Sequence, residues 1–173
     1  EQVYVERAER SRAFFAEHAG EFGEQQEQMV AYSVYGQSCL ELLRSSQPLG
    51  GKLAIEIGPG EGAFLAELSP HYESVVGVDN ADAMLKRANE FVNQQALNNV
   101  SFILGDSRDA GLEQNAADCV VSNMVLHHVP SPKSIFNDVA QLLHSGGTFL
   151  VTDLCRHEQV WARESCGDLW LGF

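Results

Sequence analysis

The stretch Leu53-Ala54-Ile55-Glu56-Ile57-Gly58-Pro59-Gly60-Glu61-Gly62-Ala63-Phe64-Leu65-Ala66-Glu67-Leu68 decides the reading of this chain. Leu53 to Ile57 is an apolar run of strand length carrying one carboxylate, Glu56, near its end. Gly58, Gly60 and Gly62 break the run, and Ala63 to Leu68 has the composition of a helix. A strand that turns through glycines into a helix N-terminus makes a binding loop. The missing Cβ atoms allow close approach, and backbone amides point at the ligand. Such a loop takes an anionic or zwitterionic group. Gly58, Gly60 and Ala63 also satisfy the dinucleotide fingerprint with alanine in third place, so the loop alone admits two cofactor classes.

Apolar runs of the same kind recur downstream, at Ser74 to Asp79, Val100 to Leu104, Asp118 to Ser122 and Thr148 to Asp153, so that five strands are expected with the Lys52 to Ile57 run. Amphipathic stretches separate them. The clearest puts Met84, Leu85, Ala88, Phe91 and Val92 on one face and Lys86, Arg87, Glu90 and Gln94 off it. Another carries Ile135, Val139, Leu142 and Leu143 behind Ser131 as a cap and Pro132 at the first helical position, where a missing amide donor costs nothing. Strands alternating with helices imply parallel crossovers, hence an α/β, doubly wound, Rossmann-like sheet whose ligands sit at the carboxyl ends of the strands. Residues 1–46 read as helical, with Phe14, Phe15, Ala19, Phe22, Met29, Val34, Leu40, Leu42 and Leu43 as the apolar face. Gly20, Gly23 and Gly36 weaken the middle, and the turn formers Ser45 to Gly51 around Pro48 end the region. The division expected is therefore a helical cap over 1–48 and a ligand-binding core over 49–173.

The strand ends carry the candidate site. Asp79 closes the second strand about twenty residues after the glycines, where a carboxylate accepts from both ribose hydroxyls in either cofactor class. Gly105-Asp106-Ser107 closes the third and puts another carboxylate on the same rim. The plainer roles, helix cap for Asp79 and turn residue for Asp106, compete with binding. The fourth strand runs into Asn123-Met124-Val125-Leu126-His127-His128.

Taken together, Leu53 to Asp153 resembles the class I S-adenosylmethionine-dependent methyltransferases, especially the branch that includes the ubiquinone and menaquinone methyltransferases. Glu56 and the glycines match that family's acidic, glycine-rich first motif, and Val76-Gly77-Val78-Asp79 its ribose-binding strand. Gly105-Asp106-Ser107 matches its adenine contact, Asp118 to His128 its fourth motif, and Leu142 to Phe149 its turn into strand five. Pro59 and Ser145 depart from the usual residues without altering the backbone role of their motifs. The flanks Glu6 to Ala16 and Gly167 to Phe173 resemble methyltransferase domains fused behind winged-helix repressors of the arsenic-repressor family, which implies a DNA-binding domain before Glu1.

The resemblance implies S-adenosyl-L-methionine as cofactor and a small-molecule acceptor. It assigns Glu56, Gly58, Pro59, Gly60 and Gly62 to the methionine part, Asp79 to ribose, and Asp106 with Ser107 to adenine. Asn80 and Met84 would flank the adenine ring, Met84 being equally explained as helix core. Asn123 would lie near the reactive methyl. His127 or His128 could accept a proton from the acceptor, against the plainer reading that one packs on the sheet and the other faces solvent. His157 in a helix after strand five, Tyr32, Tyr35 and Trp161 are further candidates for the acceptor pocket. The family fold also has a sixth and a seventh strand. Their absence here implies either chain beyond Phe173 or a second copy, in a homodimer, over the exposed edge.

Charge and cysteines narrow the classes. Among 173 residues, 24 acidic against 11 basic side chains give a formal charge of -13, which would repel a phosphate backbone, so this segment is not expected to bind nucleic acid. Cys39, Cys119, Cys155 and Cys166 show no C-x-x-C spacing, so neither a disulfide framework nor a metal site is read from them. They fit a reducing cytoplasm, and their scatter also disfavours arsenite as acceptor. No apolar run approaches a membrane span. Two rivals stand beside methyl transfer. An NAD(P)-dependent oxidoreductase leaves Glu56 and Asp106 unexplained, and an S-adenosylmethionine sensor attached to a repressor would bind without turnover.

Overall fold

The computed structural model of the protein describes residues 2–20, 30–46, 49–108 and 111–173. Two helices come first, α1 (Gln2–His18) and α2 (Tyr32–Ser46). The alternating core follows as β1 (Gly51–Ile57), α3 (Ala63–Leu68), β2 (Tyr72–Asp79), α4 (Asp82–Gln94), β3 (Val100–Leu104) and β4 (Ala117–Asn123). A short 3-10 turn, Leu126–His128, leads to α5 (Pro132–Leu142), β5 (Leu143–Thr152) and a final turn of helix, α6 (Ala162–Ser165). The five strands form one parallel sheet in the order β3-β2-β1-β4-β5.

That order follows from the sequence chemistry. β1 and β4 are central and covered on both faces, so their residues are apolar almost without alternation, Ile55 and Val120 being fully buried. On one face Val75, Cys119 and Val121 pack with Leu43 of α2, Phe64, Leu65 and Leu68 of α3 and Val92 of α4. On the other, Ile55, Val76, Val78 and Val120 pack with Ile135, Val139 and Leu142 of α5. The chain builds β1, β2 and β3 outward and then returns to place β4 on the other side of β1. The crevice between the ends of β1 and β4 is thus the topological switch point, where such sheets bind ligands.

Several sequence expectations need correction. Val34 and Leu42 lie on the outer face of α2, 66% and 54% exposed, whereas Leu40 and Leu43 are buried as expected, together with Cys39. Phe22, Gly23, Met29, Gln47 and Pro48 lie outside the described residues. β5 begins at Leu143, earlier than Thr148, because the residues around Gly146 bulge out of the ladder. Ala117 faces Leu143, yet Cys119 already faces Thr148. No helix forms at His157; the chain from Asp153 to Gln159 carries neither helix nor strand. No sixth or seventh strand occurs among the described residues. No helix among them is long and apolar enough to cross a membrane.

Asn99 holds the amino-terminal edge of the sheet. Its Nδ2 donates to the carbonyls of Ser69 and Tyr72, both at 2.9 Å, and its Oδ1 accepts from Ser69 Oγ at 2.6 Å. Asn99→Ala strands two carbonyls and one hydroxyl and is expected to cost about 1–2 kcal/mol, read as a lower urea midpoint with unchanged slope.

Candidate active site

A cavity of about 910 Å3 opens at the switch point. That is near the upper end for small-ligand pockets, about 300–1,000 Å3, and leaves room for two ligands side by side. Its floor is the loop after β1. Gly58, Pro59 and Gly60 line it, with Gly58 and Gly60 in left-handed conformations at φ 66° and 56°. The Gly58 amide donates to Val78 O at 2.8 Å, which ties the loop to β2, and a Cβ at this position would stand 2.5 Å from Val125 Cγ2. Gly62 does not line the cavity. It stands against Ala88 and Phe91 of α4 and closes the turn by donating to Pro59 O, so its part is to shape the loop.

Glu56 sits at the end of β1, 2% exposed, with Oε2 lacking any hydrogen-bond partner. Burial pushes its carboxyl up to about 8, against a smaller lowering by the Asn123 side-chain amide, which approaches as a weak hydrogen-bond donor. Asn123 ends β4 beside it. Its Oδ1 accepts from Thr152 Oγ1 at 2.9 Å and from Cys39 Sγ at 3.5 Å, which turns the amide so that Nδ2 is left buried and unpaired. The next residue, Met124, has φ 58°, a conformation that costs a non-glycine residue free energy and tends to occur where a site is held under strain.

The adjoining rim is acidic. Asp79 Oδ1 accepts from the Ala81 amide at 2.8 Å, so it braces the start of α4 although Ala81 is the cap residue. Burial raises the Asp79 carboxyl to about 6, the amides of Ala81 and Asn80 oppose this, and the charge of Asp106 adds to it. Asn80 Nδ2 donates to Asp106 Oδ1 at 3.0 Å, joining the ends of β2 and β3. Ser107 Oγ donates to Asp138 Oδ2 at 2.6 Å and is itself buried. Met84 lines the cavity and is also core, packing with Ala19 and Ala81. Among the described residues the lining holds the carboxylates Glu56, Glu61, Asp79, Asp106 and Asp138 against one guanidinium, Arg108.

The two histidines part company. His128 reaches the cavity wall, edge-on to Phe15 with ring centroids 4.8 Å apart. His127 lies behind it, 4% exposed, its Nδ1 donating to Asp153 Oδ1 at 2.7 Å. Neither faces solvent, because Asp168 and the carboxyl-terminal segment cover them; Leu169 and Trp170 both donate backbone bonds to His127 O. Tyr32 and Tyr35 of α2 line the cavity as expected, whereas His157 and Trp161 do not. Trp161 is 41% exposed and donates to Gln159 Oε1.

The helical cap expected over 1–48 came without the side chains of α1 that line the cavity, and the wall at α5 was not expected. Tyr4, Val5, Ala8, Ser11 and Phe15 of α1 line one side of the cavity, and Ser131 and Ser134 bound it at α5. Ser131 occupies the cap position of α5 with Pro132 behind it, as its sequence suggests, but makes no side-chain cap bond; Ser134 Oγ donates to its carbonyl at 2.7 Å. A serine before a proline reads as a cap, and no sequence signal separates that from a serine facing a ligand.

A parallel sheet in this order, with a glycine loop and carboxylates at the ends of its first three strands, defines a nucleoside-cofactor-binding α/β domain. The methyltransferase domain family matches residues 55–151, more than half of the chain, and the chain belongs to that family. A phosphoethanolamine N-methyltransferase of Triticum aestivum is 28% identical over 122 residues, covering 68% of this chain and 24% of the relative. An arsenite methyltransferase of Halobacterium salinarum is 31% identical over 108 residues, 60% of this chain and 27% of the relative. The crystallised phosphoethanolamine N-methyltransferase 1 of Haemonchus contortus, in complex with phosphoethanolamine and S-adenosylhomocysteine, superposes with a TM-score of 0.72. Its identity is 18%, and the match covers 89% of this chain and 34% of that one. This chain therefore spans a quarter to a third of each of these proteins.

Proposed function

We propose that this chain binds S-adenosyl-L-methionine and transfers its methyl group to a small-molecule acceptor held in the same cavity. The observation that carries the reading is the pair of unpaired, buried polar groups, Glu56 Oε2 and Asn123 Nδ2, at the cavity end of β1 and β4. The Asn123 side chain leans toward Glu56 without giving Oε2 a well-formed hydrogen bond; a buried carboxylate so short of donors is costly, and a cationic ammonium would satisfy it. The acidic lining supports the same choice. With Glu61 paired to Arg87, Asp79, Asp106 and Asp138 still outnumber Arg108 in the lining, which disfavours the pyrophosphate of a dinucleotide and favours a ligand that is cationic at one end.

When bound, S-adenosylmethionine supplies a sulfonium-activated methyl group. The residues then divide by position. Glu56 and the loop Gly58 to Gly60 hold the amino-acid part, Asp79 accepts from ribose hydroxyls, and Asp106 and Ser107, with Asn80 and Met84 beside them, hold the adenine. Asn123 and His128 bound the acceptor side, and His127, fixed by Asp153, is a positioning residue behind them. Methyl transfer discharges the donor's positive charge, so alignment of the reacting groups supplies most of the effect and no strong base is needed. Helix α1 forms one side of the cavity that holds both ligands. The free thiols of Cys39, Cys119, Cys155 and Cys166 support a reducing compartment.

The test is transfer of a radiolabelled methyl group by the full-length protein to a small-molecule cell extract. Label in the low-molecular-weight organic fraction supports the proposal. Saturable binding of the cofactor with no label transferred to any fraction would replace it by the sensor reading.

A further inference from the structure

Beside the cavity His127 and His128 meet Asp168, a residue to which these roles assign nothing. Asp168 is buried under the 3-10 turn, its side chain 1% exposed, and neither of its carboxylate oxygens has a hydrogen-bond partner. Its Oδ1 stands 3.9 Å from His127 Nε2 and 3.7 Å from His128 Nδ1, and His128 Nδ1 is itself buried and unpaired. The three ligand atoms lie within 4.8 Å of one another. These separations are too long for hydrogen bonds.

The partner of His127 fixes what these atoms are. Its Nδ1 carries the hydrogen, because Asp153 Oδ1, which also accepts from the Leu154 amide, can only accept there. In the neutral ring the Nε2 atom then turns a lone pair toward the Asp168 carboxylate. Two acceptors then face each other across a dry gap, an arrangement that a proton or a metal ion between them relieves, and the unpartnered His128 Nδ1 beside them offers a metal ion a third ligand. A carboxylate holding the far nitrogen of a histidine is also the usual support behind a metal-ligating imidazole, fixing its tautomer and raising its basicity.

We propose that His127 Nε2, His128 Nδ1 and Asp168 form a binding site for a divalent transition-metal ion, with Asp153 as the supporting carboxylate. Two neutral imidazoles and a carboxylate suit an ion of the zinc or ferrous class. Bonds of about 2.0–2.2 Å place tetrahedral ligand atoms about 3.3 Å apart, so modest side-chain rotations close the present arrangement around an ion. The charges also balance, since the ion offsets the two buried carboxylates Asp153 and Asp168. Three protein ligands leave a coordination position open, and His128 lies on the cavity wall, so the site adjoins the acceptor side. The ion would further tie the carboxyl-terminal segment to the end of β4. The site holds whether or not methyl transfer is the activity. Reading the cysteines for metal spacing misses it, because no thiol takes part.

The experiment is a zinc titration of the full chain against a chelating indicator, with cobalt as a spectroscopic substitute. One zinc ion per chain is expected, and a tetrahedral cobalt spectrum without thiolate charge-transfer bands. Asp168→Asn and His128→Gln should each weaken binding by at least tenfold. Asp168→Asn should melt no lower than the metal-free wild type, because an amide relieves the orphaned carboxylate. Failure of the folded wild type to take up a stoichiometric ion overturns the proposal. So does unchanged zinc affinity in either folded variant, or thiolate bands in the cobalt spectrum, which would place the ion on cysteines elsewhere.

Discussion

Glu56→Gln is expected to make the ligand-free chain more stable at neutral and mildly alkaline pH while weakening cofactor binding by one to two orders of magnitude. Both effects arise from one buried carboxyl. Its folded-state value of about 8 lies above the ordinary 4.5, so its contribution to stability is complete below 4.5 and is lost as pH rises through the interval up to about 8. Near pH 7 the ionisation forgone on folding costs about 3 kcal/mol, an order-of-magnitude figure. Glutamine has no such cost. The variant should melt several degrees above wild type at pH 8 and match it near pH 4.5, as read by thermal unfolding across that range. Under the proposed function Glu56 ionises to meet the cofactor's ammonium, and the lost charged hydrogen bond is worth about 1.5–3 kcal/mol. Wild-type affinity should therefore rise with pH up to about 8 with release of a proton, and the variant's should not. A variant that melts below wild type at pH 8, or that binds equally tightly, contradicts this account of Glu56.

Gly58→Ala is the second large effect, and it tests the loop. At φ 66° any side chain is strained, and a Cβ would stand 2.5 Å from Val125 Cγ2. The left-handed conformation costs about 1–2 kcal/mol and the overlap with a packed neighbour adds a similar amount, about 3 kcal/mol together. For a chain of this size that lowers the melting temperature by roughly 6–12 °C. The two parts separate in a double mutant. Val125→Ala removes the overlap and leaves the dihedral strain, so the paired variant should recover about half of the loss relative to Val125→Ala alone. Purely additive effects would show that the loop moves away from Val125.

Much of the fold was legible because its signals are local. Each strand is a short apolar run and each strand end carries its own glycine or carboxylate, so Glu56, Asp79 and Asp106 could be placed along one rim without knowing the packing. Gly62 and His127 belong to the same motifs yet do not reach the cavity, since a motif fixes neighbourhood and not the direction in which a side chain points. The failures share a different cause. Val34 and Leu42 fit a helical period, but α2 buries a narrower stripe than that period allows. The early start of β5 was hidden by Gly146 and Gly147, which read as a turn and form a bulge within the strand. The wall supplied by α1 gave no signal, because none of its residues is buried, and Tyr4 and Val5 line the cavity while staying more than half exposed. The meeting of Asp168 with His127 and His128 is a long-range contact made by chain without regular structure, which no local pattern encodes.

The central claim is that the crevice between β1 and β4 is built for a cation-bearing nucleoside and not for a dinucleotide. Isothermal titration calorimetry of the full chain with S-adenosylhomocysteine and, separately, with NAD tests it most directly. The account predicts saturable binding of S-adenosylhomocysteine at one site per chain, with a proton released that disappears in Glu56→Gln, and no binding of NAD. Saturable binding of NAD without binding of S-adenosylhomocysteine would contradict it.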